Sequence, residues 1–173
     1  MKQGNWKYWI SPALLALVLL AGLWYYRPVD IYTLAPALEP AGISVVINRF
    51  SEDEAMGHGF RNFDVDAASP QGLALLERLE ALRIRRPPTN LLFQLLTPTT
   101  SGRQVQDGDY NYVIHIFGQD GGWVALQFFI DAWEYDTPRQ SQYLSCRVSG
   151  GADTGRALGD YLWELSQEFE SDS

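Results

Sequence analysis

The residues through which this chain could do conventional chemistry are few: two His, one Cys and scattered carboxylates among 173 residues. His115 stands in a run of β-type residues, and an imidazole that titrates near neutral pH is a natural general base. The nearest acid that could orient it is Asp131. In the hairpin register argued below, His115 faces Ala125 and Asp131 lies further along that strand, roughly 20 Å away at the strand rise. A working His–Asp pair is therefore not expected, and an envelope hydrolase built on His115 is kept only as the alternative function. Cys146 alternates with Leu144 and Val148 on another β-type run, so it should turn inward as an inert thiol. Asp64-Val65-Asp66 resembles the opening of a calcium loop, but Ser69 and Leu75 stand where that loop needs Gly and Glu. Those acids read as turn and helix-entry residues. Glu52, Asp53 and Glu54, near His58, read as a solvated loop. With so few Cys and His no metal centre is expected, and no phosphate-loop, dinucleotide-binding or G-x-S-x-G fingerprint calls for a cofactor or a nucleophile elbow.

What the pattern does offer is a surface. Tyr110 to Phe117 and Trp123 to Trp133 read as two strong strands joined by Gly-Gln-Asp-Gly-Gly. A three-residue loop Gln119-Asp120-Gly121, with Gly121 in the left-handed position, sets Phe117 opposite Trp123 and Ile114 opposite Leu126. Tyr110, Tyr112, Ile114 and Ile116 then share a face with Val124, Leu126, Phe128 and Ile130, and that face is the expected core. A tighter turn would push Asn111 and His115 into the core without partners. The opposite face presents Asn111, Val113, His115, Phe117, Trp123, Ala125, Gln127, Phe129, Asp131 and Trp133. Open faces of antiparallel sheets are usually polar, whereas rigid aromatics with convergent polar groups anchor partners. Trp123, Phe129, Trp133, His115 and Gln127 are accordingly the candidate partner-binding residues, for an envelope protein or peptide. The competing expectation is that a loop, 97–109 or 51–62, covers them.

The elements that must hold this surface begin with a hydrophobic one. No charge occurs between Lys7 and Arg27, and residues 9–26 read WISPALLALVLLAGLWYY. The uncharged stretch covers about 28 Å as a helix, close to the ~30 Å hydrocarbon thickness of a bilayer. Trp6, Tyr8 and Trp9 mark one edge, and Trp24, Tyr25 and Tyr26 the other, as in membrane-interface belts. No small-residue cleavage pattern closes the apolar run, so the segment reads as an uncleaved single-pass transmembrane helix. Lys2 and Lys7 place residues 1–8 in the cytoplasm, so the remainder is extracytoplasmic at the cell membrane. Three prolines in residues 27–42 suggest an extended tether. The folded domain is then expected over residues 43–170.

Within it, Ile43 to Phe50 reads as a strand. Ser69-Pro70 opens a helix with a cap and a first-turn proline, its stripe being Leu75, Leu76, Leu79 and Leu82. That helix stops by Arg86 before Pro87-Pro88. Arg83, Arg85 and Arg86 suit its C-terminal dipole, an anion site being the alternative reading. Gln142 to Val148 is a last strand. Asp153 or Thr154 caps a final helix whose stripe is Leu158, Tyr161, Leu162, Leu165 and Phe169. The fold class is α+β: an antiparallel sheet of four to five strands with two helices on one face, preceded by one N-terminal transmembrane helix.

Charge narrows the partners. The chain carries 13 Lys and Arg against 21 Asp and Glu. Residues 27–173 hold every acid together with eleven arginines, so the domain is acidic. An acidic domain is not built for nucleic acid, and it should stand off from anionic lipid. The anchor, a strand ISVVINRF, a helix SPQGLALLERLEALRIRRPP, a hairpin YNYVIHIFGQDGGWVALQFFID and a capped terminal helix together resemble uncharacterised membrane-anchored extracytoplasmic domains of Gram-positive bacteria. The resemblance is one of layout and implies an extracytoplasmic location without assigning functional residues. A membrane-anchored interaction or sensing module is the expected function, with an accessory subunit of a membrane complex as a further alternative.

Overall fold

The computed structural model describes residues 6–36, 38–51, 59–85, 105–138 and 144–171. Among them the elements run α1 (Trp6–Tyr25), α2 (Ile31–Leu34), β1 (Pro40–Arg49), β2 (Arg61–Asp66), α3 (Pro70–Ala81), β3 (Ile84–Arg85), β4 (Tyr110–Gly118), β5 (Trp123–Phe129), β6 (Ala132–Asp136), β7 (Leu144–Val148) and α4 (Gly151–Ser171). All seven strands form one antiparallel sheet in the order β2-β1-β4-β5-β6-β7-β3. The α+β class holds, and the expected four to five strands become seven.

Three local causes account for the extra strands. Asp64 and Asp66 are expected as turn and helix-entry acids, but Phe63 and Val65 alternate with Asn62, Asp64 and Asp66, and Arg61–Asp66 pairs with β1 as an edge strand. The run from Trp123 to Trp133 is two strands. Phe129 and Ala132 are partners across a turn in which Ile130 takes φ 59° and the Asp131 N–H donates to the Phe129 carbonyl at 2.6 Å. Finally, α3 ends at Ala81, earlier than the prolines require, because Leu82 turns to an extended conformation and Ile84–Arg85 joins β7.

The central register is as expected. Phe117 faces Trp123, His115 faces Ala125, Ile114 faces Leu126, and Gly121 has φ 80°. Ile43, Val45, Ile47, Tyr112, Ile114, Ile116, Val124, Leu126 and Phe128 form one buried face with the stripes of α3 and α4. Ser69 caps α3, its hydroxyl accepting from the Gly72 N–H at 3.0 Å, and Pro70 opens the helix. Helix α4 starts at Gly151, ahead of the Asp153 or Thr154 expected as caps, and the Thr154 hydroxyl donates to the Ser149 carbonyl at 2.8 Å. The sheet's tyrosines fix α4 in place. Tyr112 donates to the Gly155 carbonyl at 3.0 Å and Tyr110 to Asp160 at 2.8 Å. Burial raises both phenols well above their ordinary range, so both remain donors at physiological pH.

Residues 27–42 are not the extended tether expected from their prolines. Val29 and Ile84 exchange backbone hydrogen bonds of 2.8 and 2.7 Å, α2 buries Ile31 and Leu34 in the core cluster, and β1 already begins at Pro40. Asp30 caps α2. Its carboxylate accepts from the Thr33 N–H at 2.7 Å and the Thr33 hydroxyl at 2.8 Å, and these bonds, with a smaller contribution from Arg83, lower its pKa. Apolar residues between the prolines override the composition, so the domain starts about fourteen residues earlier than position 43.

Helix α1 coincides with the predicted membrane segment in position but is not thereby a spanning helix. Among the described residues no helix is long and apolar enough to cross a membrane. The side chains of residues 8–11, 13 and 25 belong to the uncharged run of the sequence and lie outside the described set, as do residues 1–5.

Candidate functional site

The face of the sheet opposite α3 and α4 is built by alternation from side chains that the core does not use. Along β4 it carries Asn111, Val113, His115 and Phe117, and along β5 Trp123, Ala125, Gln127 and Phe129. Flanking strands add Ser44, Val46 and Asn48 from β1 and Ala132, Glu134 and Asp136 from β6. Four of the five candidate residues share this face, Trp123 and His115 near the β4–β5 turn, Gln127 further along and Phe129 at the opposite end of β5, roughly 20 Å from Trp123. All four are half-buried, and Phe117 beside them is 45% exposed.

Trp133 is the exception and corrects the expected site. Because β5 ends at Phe129, the two-residue turn resets the alternation and Trp133 pairs with Phe128 on the core face. It is 3% exposed, lies against Phe128 at 4.8 Å and Tyr112 at 6.1 Å between ring centroids, and donates its indole N–H to the Gly151 carbonyl at 3.1 Å. It is a core residue that anchors the start of α4. Asp131 leaves the face as well, since it occupies the turn.

Around His115 the rings close up. Its centroid is 5.9 Å from Phe117 and 6.3 Å from Trp123, the latter nearly edge-on. Burial lowers the imidazole pKa, and the charge of Asp136 opposes part of that shift. Asp136 belongs to the same transverse row, His115–Ala125–Asp136, and the fully buried Ala125 between them leaves room for the longer side chains on either side. Sequence reasoning missed Asp136 because it continued one strand to residue 133. Ser44 is the cross-strand neighbour of His115 on β1.

Next to Trp123 a cavity of about 150 Å³ opens between the 34–38 segment and the β4–β5 turn, with Leu34, Leu38, Thr137 and Pro138 in its wall. A cavity of that order holds a benzene-sized group. The segment expected as a free tether therefore supplies one wall of the site. At the far end of the face, Asn48 Oδ1 is buried without a hydrogen-bond partner, a state that costs about 1–3 kcal/mol.

Among the described residues the other candidate chemistries do not come together. Among the described residues no group of three His, Cys, Asp or Glu is placed to hold a metal ion. Asp64 and Asp66 point outward from the edge strand β2, and Asp66 accepts from the Ala68 N–H at 2.8 Å, a helix-entry role as expected. Burial, with a smaller contribution from Glu134, raises the Cys146 thiol to about 12, so it carries no thiolate near neutrality. Glu52, Asp53, Glu54 and His58 lie outside the described residues, as do residues 90–96 and most of the 97–109 loop. Comparison with protein-family models, with curated proteins and with solved structures finds no match for this chain.

Proposed function

We propose that the chain is a single-pass, membrane-anchored interaction module whose folded domain faces the extracytoplasmic side and meets an envelope protein or peptide through the face around Trp123. The observation that carries this reading is the surface of α1. Leu14, Leu15, Leu17, Val18, Leu19, Leu20 and Leu23 are each at least 58% exposed, and together they point in every direction around the helix axis. A helix of a water-facing domain buries an apolar stripe, as α3 and α4 do, whereas a helix apolar on all sides needs an apolar environment. Trp24 and Tyr26 at its end suit the headgroup region, and Lys2 and Lys7 favour a cytoplasmic N-terminus. The layout shared with membrane-anchored extracytoplasmic domains of Gram-positive bacteria supports the same placement.

The binding role rests on Phe117, Trp123, Phe129, His115 and Gln127. They supply aromatic rings at the two ends of the β4–β5 face with polar groups between them, next to a cavity large enough for one apolar side chain of a partner. A photo-crosslinking residue at position 117 of the full-length chain, expressed in a Gram-positive cell, tests this. A reproducible adduct with one envelope protein, lost when Trp123 is changed to Ala, is expected. Equal crosslinking in the Trp123→Ala chain would contradict the assignment of this face.

A further inference from the structure

In an acidic chain, Arg78 and Arg83 border one cavity of about 310 Å³, between the last turn of α3 and the first turns of α4. Ser149 adds a hydroxyl, Leu82 and Ala157 add apolar wall, and among the described residues no carboxylate lines it; the Thr154 hydroxyl, also in the wall, is already donated to the Ser149 carbonyl. Each guanidinium is partly engaged. Arg78 lies 4.1 Å from the centroid of the Tyr161 ring, and Arg83 donates to the Glu80 carbonyl at 3.1 Å and feels the Asp30 carboxylate. A guanidinium has five N–H donors, so these contacts leave several on each arginine for a ligand. The first turn of α4 adds the positive end of a 21-residue helix to the same space. Two arginines, the Ser149 hydroxyl and a helix start around one cavity are the chemistry of phosphate recognition.

The position of the cavity selects the source of that phosphate. Ile84, next to Arg83, is hydrogen-bonded to Val29, four residues beyond the last residue of α1. Four residues span at most about 14 Å, so the arginine cavity is held near the end of α1. Arg27 lies on the chain between α1 and Val29, and the acids Asp30 and Glu80 lie beside Arg83. The two arginines of the cavity are thus held close to the anchor in a domain whose net charge is acidic. We propose that this cavity binds a phosphate group, that of a phospholipid headgroup. The cavity is larger than a bare phosphate fills. The lipid source, though not the phosphate chemistry, rests on reading α1 as a membrane anchor.

Calorimetric titration of the full-length protein in neutral detergent micelles tests this, with glycerophosphoglycerol, the deacylated headgroup, as one probe and inorganic phosphate as the other. The headgroup is expected to saturate one site and to bind about tenfold or more tightly than phosphate. Arg78→Gln with Arg83→Gln should weaken it by about tenfold or more, since each removes charged hydrogen-bond donors. Because Arg78 also stacks on Tyr161, Ala157→Glu is the second variant. It places a carboxylate in the cavity wall from an exposed helical position, and it should abolish binding with an unchanged circular dichroism spectrum. Phosphate binding as tightly as the headgroup would overturn the lipid assignment. Absence of binding by both probes, or full binding by Ala157→Glu, would overturn the site itself. Neither probe requires a bilayer, so a failure here is distinct from a failure of α1 to anchor the chain, which membrane extraction reads separately.

Discussion

Trp123 and Trp133 lie ten positions apart in one apolar run, yet they serve opposite faces of the sheet, and truncating them should have different consequences. Trp133→Ala removes a ring packed on Phe128 and Tyr112 and leaves the Gly151 carbonyl without its donor. Urea unfolding should show a loss of about 3–5 kcal/mol. Trp123→Ala, on the half-buried outer face, should cost under about 2 kcal/mol and register in partner capture. Equal destabilisation by both would contradict the division of faces. His115 supplies a second test, with a definite sign. Its folded-state pKa lies below the unfolded value, so the unfolded chain takes up the proton first as pH falls. The stability that depends on a neutral His115 is complete above the unfolded pKa of about 6.5 and is lost as pH drops toward the folded value. Urea midpoints should fall more steeply from pH 7 to pH 5 in the native chain than in His115→Asn, and parallel curves would contradict a lowered pKa. At this scale the sequence identifies the alternation of β4 and the first half of β5 from residue types alone. It cannot place Trp133, because the reset depends on Ile130. A β-branched residue at positive φ is among the least expected turn formers, and no Gly, Asn or Pro marks the spot.

The elements extend this pattern of what residue types reveal and conceal. Helix α3 is legible because Ser69, Pro70 and the leucine stripe each act locally. Helix α4 is legible from its stripe, but its start is displaced, because Gly150 and Gly151 both adopt positive φ and allow the helix to begin directly after the turn. Its seating is less visible from the sequence. Gly155 lies against the ring of Phe128 and Gly159 against that of Tyr110, where an added Cβ has no room. Gly155→Ala should therefore destabilise by about 1–3 kcal/mol in urea unfolding, despite the better helix propensity of Ala. Gain of stability would show that α4 can rise off the sheet freely. The edge strand β2 and segment 29–36 escape sequence reading for a shared reason. Each is short and fully buries only two apolar residues, Phe63 with Val65 and Ile31 with Leu34. Only their tertiary partners make them ordered structure.

For the whole molecule, the α+β class and the side covered by helices follow from local patterns, while the seven-stranded order depends on pairings of distant residues. Charge behaves similarly. The net acidity of the domain is readable from the sequence, whereas the gathering of Arg78 and Arg83 beside the chain that leaves α1 requires the fold. The central claim is that α1 holds this domain to a membrane with no long tether between them, and alkaline carbonate extraction of membranes from cells expressing the full-length chain tests it most directly. We expect the native chain to remain in the membrane pellet, and a chain whose Leu17, Leu19, Leu20 and Leu23 are replaced by Gln to move to the supernatant. Release of the native chain by carbonate would contradict the account.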